Sequence, residues 1–231
     1  MKKWQTALVA LIIIVIAIAI FYQYTKMGAE TDLVTDDGFK IAYDFHQVSD
    51  KGVILIHMMD QNKESMKDLA TFLNKNGYST IAIDLRGHGA SSENWKDFSE
   101  EDFQNMKYDL KVAKNFLVQK GINKISIVGA SIGANLALNY SASSDIKRIA
   151  LLSPGENYHG ITTLDTMQNY KGSVLLVSTK DDSESYSTTE QLNKNAVNSK
   201  FISYDTGGHG TYLLLSHPEL QQTILEFLNN N

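Results

Sequence analysis

Gly129-Ala130-Ser131-Ile132-Gly133 stands between Lys124-Ile125-Ser126-Ile127-Val128 and Ala134-Asn135-Leu136-Ala137-Leu138-Asn139-Tyr140. The first flank is β-branched and apolar and reads as a buried strand; the second reads as a helix. A strand that turns directly into a helix brings the two elements close at the crossing. Residues two before and two after the apex must then be small. Gly129 and Gly133 meet that demand, and Ala130 and Ala134 add to it. The turn forces Ser131, at its apex, into a strained backbone conformation. At average residue usage the bare pattern arises by chance about 0.08 times in a chain of this length. Its flanks therefore decide its meaning.

The chain has 231 residues, enough for one domain with a sizeable core and a short appendage. Charged residues make up 20% and hydrophobic residues 43%, the balance of a globular protein. Net charge is -5, with no Lys/Arg block beyond the extreme N-terminus, so nucleic acid is not an expected partner. With no cysteine, the chain has no zinc–thiolate site, iron–sulfur cluster, thiol nucleophile or disulfide. His and carboxylate residues do not cluster at ligand spacings, and neither metal nor cofactor is expected.

Lys2 and Lys3 precede Ala7 to Tyr22, an apolar run dominated by Ile, with Trp4 on one flank and Tyr22 and Tyr24 on the other. As a helix, residues 4–24 would span about 31 Å, one hydrocarbon core. This predicts a transmembrane anchor with interfacial aromatics. Residues 1–30 would form the anchor and a short tether, and residues 31–231 the folded domain. Ala17-Ile18-Ala19 also satisfies an A-x-A cleavage pattern, which leaves a signal peptide as the alternative. Positive charge on the N-terminal side predicts a single-pass protein of the cell membrane with its domain outside the cytoplasm. Cleavage would make it a secreted one.

From Thr31 onward strands alternate with helices, which predicts an α/β fold with a mostly parallel sheet and helices on both faces. Asp32 to Val34 and Phe39 to Phe45 read as a hairpin about Asp37-Gly38. Val53 to Ile56, Thr80 to Ile83, Arg148 to Leu152, Val174 to Val177 and Lys200 to Tyr204 read as further strands. The spacing predicts a helix from Met66 to Leu73 that stops at Asn76-Gly77, and a long one over Phe98 to Gln119. Two more are expected over Glu190 to Val197 and Leu213 to Leu228, the last kinked or split by Pro218. Only Ser153 to Gly172 separates the strand ending at Leu152 from the one starting at Val174. That leaves room for a turn and one short helix, so a shallow, open site is expected.

A serine hydroxyl needs a base within hydrogen-bond reach, and the base needs a partner that fixes its tautomer. After Val177 comes Ser178-Thr179-Lys180-Asp181-Asp182, and after Tyr204 comes Asp205-Thr206-Gly207-Gly208-His209-Gly210. Ser131, the two acids and His209 thus all fall at carboxyl ends of different strands, where open α/β sheets place their sites.

These motifs resemble the α/β-hydrolase superfamily over essentially all of Thr31 to Asn231. Besides the G-x-S-x-G elbow, Asp84-Leu85-Arg86-Gly87-His88-Gly89-Ala90-Ser91 is similar to the family's D-x-R-G-x-G-x-S loop. Ile54-Leu55-Ile56-His57 resembles the strand leading into its oxyanion loop. The resemblance implies an α/β-hydrolase fold with minimal or no lid, Ser131 as nucleophile and His209 as general base. It points to Asp182 as the acid, with Asp181 the second choice, and to the backbone N–H groups of Met59 and Ile132 as oxyanion donors. Met58 departs from the pattern: relatives commonly carry Gly after the loop histidine, so the oxyanion loop is expected to take a different path. His57 and His88 match structural histidines, and His46, His159 and His217 read as surface residues. The activity implied is that of a serine esterase, cleaving short or accessible acyl esters on a small molecule, a polymer or a lipid. Acyl transfer, amide or thioester hydrolysis, and a non-catalytic tethered binding domain stay open. Oligomeric state is not legible.

Overall fold

Strands that are apolar along their whole length can be buried only when both faces of their sheet are covered. In the computed structural model, which describes residues 32–230, the chain folds that way. β1 (Asp32–Val34) and β2 (Lys40–His46) form the expected hairpin, and β3 (Lys51–Ile56), α1 (Lys67–Lys75) and β4 (Ser79–Ile83) follow. α2 (Glu100–Gln104) and α3 (Lys107–Gln119) lead to β5 (Lys124–Ala130), α4 (Ile132–Ala142) and β6 (Arg148–Leu152). A small hairpin of β7 (Asn157–Tyr158) and β8 (Ile161–Thr162) precedes α5 (Leu164–Asn169). The chain closes with β9 (Ser173–Thr179), α6 (Ser183–Asn195), β10 (Asn198–Tyr204), α7 (Tyr212–Ser216) and α8 (Leu220–Asn229). Eight strands pair in the order β1-β2-β4-β3-β5-β6-β9-β10, antiparallel at β1–β2–β4 and parallel elsewhere.

The period of two in the strands builds two cores. Ile54, Ile56, Ile127, Ile149, Leu151 and Leu176 point to one face, where Leu110, Leu117, Leu136 and Leu138 of α3 and α4 cover them. Val53, Leu55, Val128, Leu152, Leu175 and Val177 point to the other, beneath Leu69 and Leu73 of α1 and Ile224 and Phe227 of α8. The apolar run at residues 4–24, expected to be a membrane anchor, lies outside the described residues. Among those described, no helix is long and apolar enough to cross a membrane.

Three elements differ from expectation. The helix expected from Phe98 to Gln119 starts instead at Glu100, behind a capping box of Ser99 and Asp102, and is interrupted at Asn105 and Met106 into α2 and α3. Helix α6 begins at Ser183 rather than near Glu190. Its first half is Ser- and Thr-rich and a poor helix former, yet Ser185, Thr188 and Thr189 are buried, and packing outweighs propensity. Residues 153–172 hold the β7–β8 hairpin as well as one short helix. Pro218 does split the last helix, into α7 and α8.

The D-x-R-G-x-G-x-S loop is held by charges that its pattern only hints at. Arg86 is fully buried, with Nε 2.8 Å from Asp109 and its two terminal nitrogens 2.6 and 3.0 Å from Asp37. Burial pushes the Asp109 carboxyl up to about 7, against the pull of Arg86. Replacing Arg86 by Met should cost about 3–5 kcal/mol of stability at neutral pH, since it leaves the buried Asp109 carboxyl without its partner. A carboxyl whose pKa is raised by folding favours the fold below its unfolded value. That contribution is lost as pH rises through the folded value. With Arg86 gone the folded value rises further, so denaturant titrations should give a larger deficit at pH 8 than at pH 5. Equal deficits would assign the loss to packing.

Candidate active site

Ser131 sits at the carboxyl end of β5 with φ 55° and ψ -120°, a conformation an L-residue tolerates only when its surroundings impose it. A Cβ on Gly129 would lie 2.2 Å from the Gly133 carbonyl oxygen, and one on Gly133 would lie 2.6 Å from the His57 carbonyl. The glycines of the motif are thus where the start of α4 crosses β5 and touches the loop leaving β3. The Ser131 N–H donates to the Leu152 carbonyl at 2.8 Å, which fixes the apex against β6.

His209 comes from the loop after β10. Its Nε2 is 2.7 Å from Ser131 Oγ, and its Nδ1 is 2.6 Å from Asp182 Oδ2. Asp182 stands at the start of α6 and is ionised at neutral pH. Burial pushes its carboxyl up, but the bonds to His209 and Ser185 outweigh burial and hold it below the usual carboxylate value. An ionised acid at Nδ1 accepts that N–H and leaves the Nε2 lone pair facing the serine O–H. Asp181, one residue earlier, turns away. Its carboxylate accepts the backbone N–H groups of Gly207 and Gly208 at 3.1 and 3.4 Å and so braces the loop that carries His209. Thr179 Oγ1 donates to the Gly208 carbonyl, and Ser216 Oγ to the Gly207 carbonyl, at 2.9 and 3.2 Å. His217, expected on the surface, is half-buried and part of the same brace. Its Nε2–H donates to the Thr206 carbonyl at 2.7 Å, and its ring stacks on Tyr204.

On the opposite side, the backbone N–H groups of Met59 and Ile132 find no acceptor among the described residues. Met58 does not take a positive φ; Asp60, two residues on, takes the left-handed turn at φ 62°. The Met58 side chain is buried beneath Gly210, where a Cβ would come within 2.6 Å of its sulfur. A residue that departs from the family pattern thus supports the loop of His209. His57 is fully buried, accepts the Leu85 N–H at 3.0 Å and donates to its neighbour's carbonyl; burial pushes its pKa down to about 3 and keeps it neutral. His88 stacks on Trp95 and holds the Arg86 carbonyl. Both are struts.

Two side chains at the site have no sequence signal of the kind used above. Tyr158, on the β7–β8 hairpin, meets the His209 ring edge-on at 6.4 Å. Ser185, on the first turn of α6, puts its Oγ 3.3 Å from His209 Nδ1 and 3.4 Å from the Tyr158 hydroxyl. Ser131 is 5% exposed at the elbow, while the His209 side chain is 34% exposed.

The signature of the family described as serine aminopeptidase, S33, matches residues 47–202. A carboxylesterase of Bacillus subtilis is 28% identical over 129 residues, which cover 53% of this chain and 50% of that protein. The match therefore spans half of the curated relative's length. Among solved structures, an esterase of Exiguobacterium antarcticum superposes with a TM-score of 0.72 at 15% identity, covering 87% of this chain and 100% of that one. An esterase of Pyrococcus furiosus superposes with a TM-score of 0.72 at 21% identity, covering 85% and 88%. These two similarities speak to the fold. With the family signature running from the end of β2 through most of β10, the chain belongs to the serine aminopeptidase S33 family, within the α/β-hydrolase superfamily.

Proposed function

We propose that this chain is a serine hydrolase that cleaves carboxylic esters with short or accessible acyl groups by way of an acyl-enzyme. The observation that carries this reading is the unbroken hydrogen-bonded chain Ser131 Oγ–His209–Asp182 at a strained elbow. As Ser131 Oγ attacks the carbonyl carbon, its proton passes to His209 Nε2, and Asp182 stabilises the imidazolium. The Met59 and Ile132 N–H groups take the developing oxyanion, and their lack of acceptors among the described residues supports that role. His209 then protonates the departing alkoxide, and water repeats the sequence on the acyl-enzyme. The small β7–β8 and α5 insert supports short acyl groups over long chains enclosed by a lid. The B. subtilis carboxylesterase and the esterase folds agree with ester cleavage. The test is labelling of the full-length chain by a fluorophosphonate probe, with loss of labelling in Ser131→Ala. A wild-type chain that folds and does not react would replace the esterase with a tethered binding domain.

Residues 4–24 further suggest that the enzyme works at the outer face of a membrane, on small-molecule, polymer-linked or lipid-linked esters. The full-length chain should stay in the membrane fraction after a carbonate wash. Release of a species lacking about the first twenty residues would favour a cleaved signal peptide.

A further inference from the structure

We propose that Tyr158 is a further catalytic residue, donating its phenolic O–H to the leaving-group oxygen of the ester, and that Ser185 is the positioning residue that aims it. The inference rests on the esterase reading above.

The hairpin that carries Tyr158 is held firmly. Asn135 of α4 donates to the carbonyls of Gly155 and Ile161 at 3.0 and 2.8 Å, and Thr163 Oγ1 donates to Gly155 at 2.7 Å. At the hairpin tip the His159 ring stacks on Phe103, 4.0 Å between centroids and 12° from parallel. Gly155 leaves the space the tyrosine fills, since a Cβ there would lie 2.3 Å from the Tyr158 ring. The phenol is thereby held beside the His209 ring. Its oxygen is 3.4 Å from Ser185 Oγ, which is itself 3.3 Å from His209 Nδ1, and its ring lies edge-on to the His209 ring at 6.4 Å. Ser185 is 1% exposed, and its hydroxyl lies within reach of the Tyr158 hydroxyl and of His209 Nδ1. Burial raises the Tyr158 pKa against the pull of Ser185 and Ser131, so the phenol keeps its proton at neutral pH.

Sheet order assigns the side on which Tyr158 acts. Ser131 leaves β5, which lies between β3 and β6. The oxyanion donor Met59 follows β3, and Tyr158 follows β6, beside His209. A hydroxyl there faces the oxygen that His209 protonates, across the serine from the oxyanion. In the step, the C–O bond breaks and the proton on the departing alkoxide comes from His209 Nε2. Tyr158 contributes a hydrogen bond to the charge building on that oxygen and keeps its own proton. A buried bond to a charged oxygen is worth about 10- to 100-fold in rate.

The test is kcat/KM, which reports acylation, for the full-length chain with ethyl butyrate and p-nitrophenyl butyrate. Ethoxide leaves badly without protonation, whereas nitrophenolate needs little help. Tyr158→Phe should lower kcat/KM for the ethyl ester about 10- to 100-fold and for the nitrophenyl ester less than about 3-fold. Ser185→Ala should show the same bias, Ser185→Thr should restore the ethyl ester, and the two losses should not add in the double variant. Equal losses on both esters, no loss on either, or additive losses would overturn the proposal. Fluorophosphonate labelling separates the two readings. A wild type that does not label defeats the esterase itself; variants that label normally yet show no leaving-group bias defeat only the role of Tyr158.

Discussion

Ser131→Gly is expected to give a chain that is more stable than Ser131→Ala and equally inactive. Both variants remove Oγ, and loss of the serine from a triad lowers kcat by about 10⁶-fold. They differ in the backbone. At φ 55° and ψ -120°, a residue with a Cβ carries about 1–3 kcal/mol of strain. Alanine keeps that strain, and glycine releases it at an entropic cost of about 0.5–1 kcal/mol. The glycine variant should therefore melt about 2–4 °C above the alanine variant, the shift that about 1 kcal/mol makes in a domain of this size. Hydrolysis above about 1% of wild type in either variant would remove Ser131 from the chemistry. A glycine variant no more stable than alanine would mean that the elbow stores no strain.

That strain explains why the site was legible at all. The elbow is a local steric problem. A Cβ on Gly129 meets Gly133, four residues away, so the small residues and the serine appear as one short pattern. The strands were legible for a similar reason, because burial on both faces writes unbroken apolar runs. His209 and the Asp181–Asp182 pair could be placed at strand ends by their order along the chain. Tyr158 and Ser185 could not, because their separations from Ser131 are set by how the β7–β8 hairpin folds back over α4 and by where α6 begins. The Ser/Thr-rich start of α6 reads as loop on propensity and is helix by packing, and Ser185 lies within it. Met58 reads as a departure from a family pattern. Its use becomes visible only when Gly210, far along the chain, turns out to lie on its sulfur.

The choice between neighbouring acids turns on direction rather than on distance along the chain. Asp182→Asn should lower kcat/KM about 10⁴-fold, while Asp181→Asn should cost less than about 3-fold. An amide at position 182 can present its NH₂ to His209 Nδ1, which moves the ring proton to Nε2 and leaves nothing to accept the Ser131 proton. It also removes the charge that stabilises the imidazolium. Asp181 has no such link. Its carboxyl is held low by the Thr179 hydroxyl and by the N–H groups of Gly207, on Oδ2, and Gly208, on Oδ1. An asparagine oxygen can keep the 3.1 Å bond from Gly207 and gives up only the longer one from Gly208. The linkage follows the same division. Asp182 has a pKa lowered by folding, so its contribution to stability is present above the unfolded value near 3.8 and lost as pH falls through the folded one. Asp182→Asn should therefore flatten the acid limb of the stability profile while removing activity at every pH. Comparable losses of activity from the two variants would mean that the loop bearing His209, rather than the Asp182–His209 bond, sets the rate.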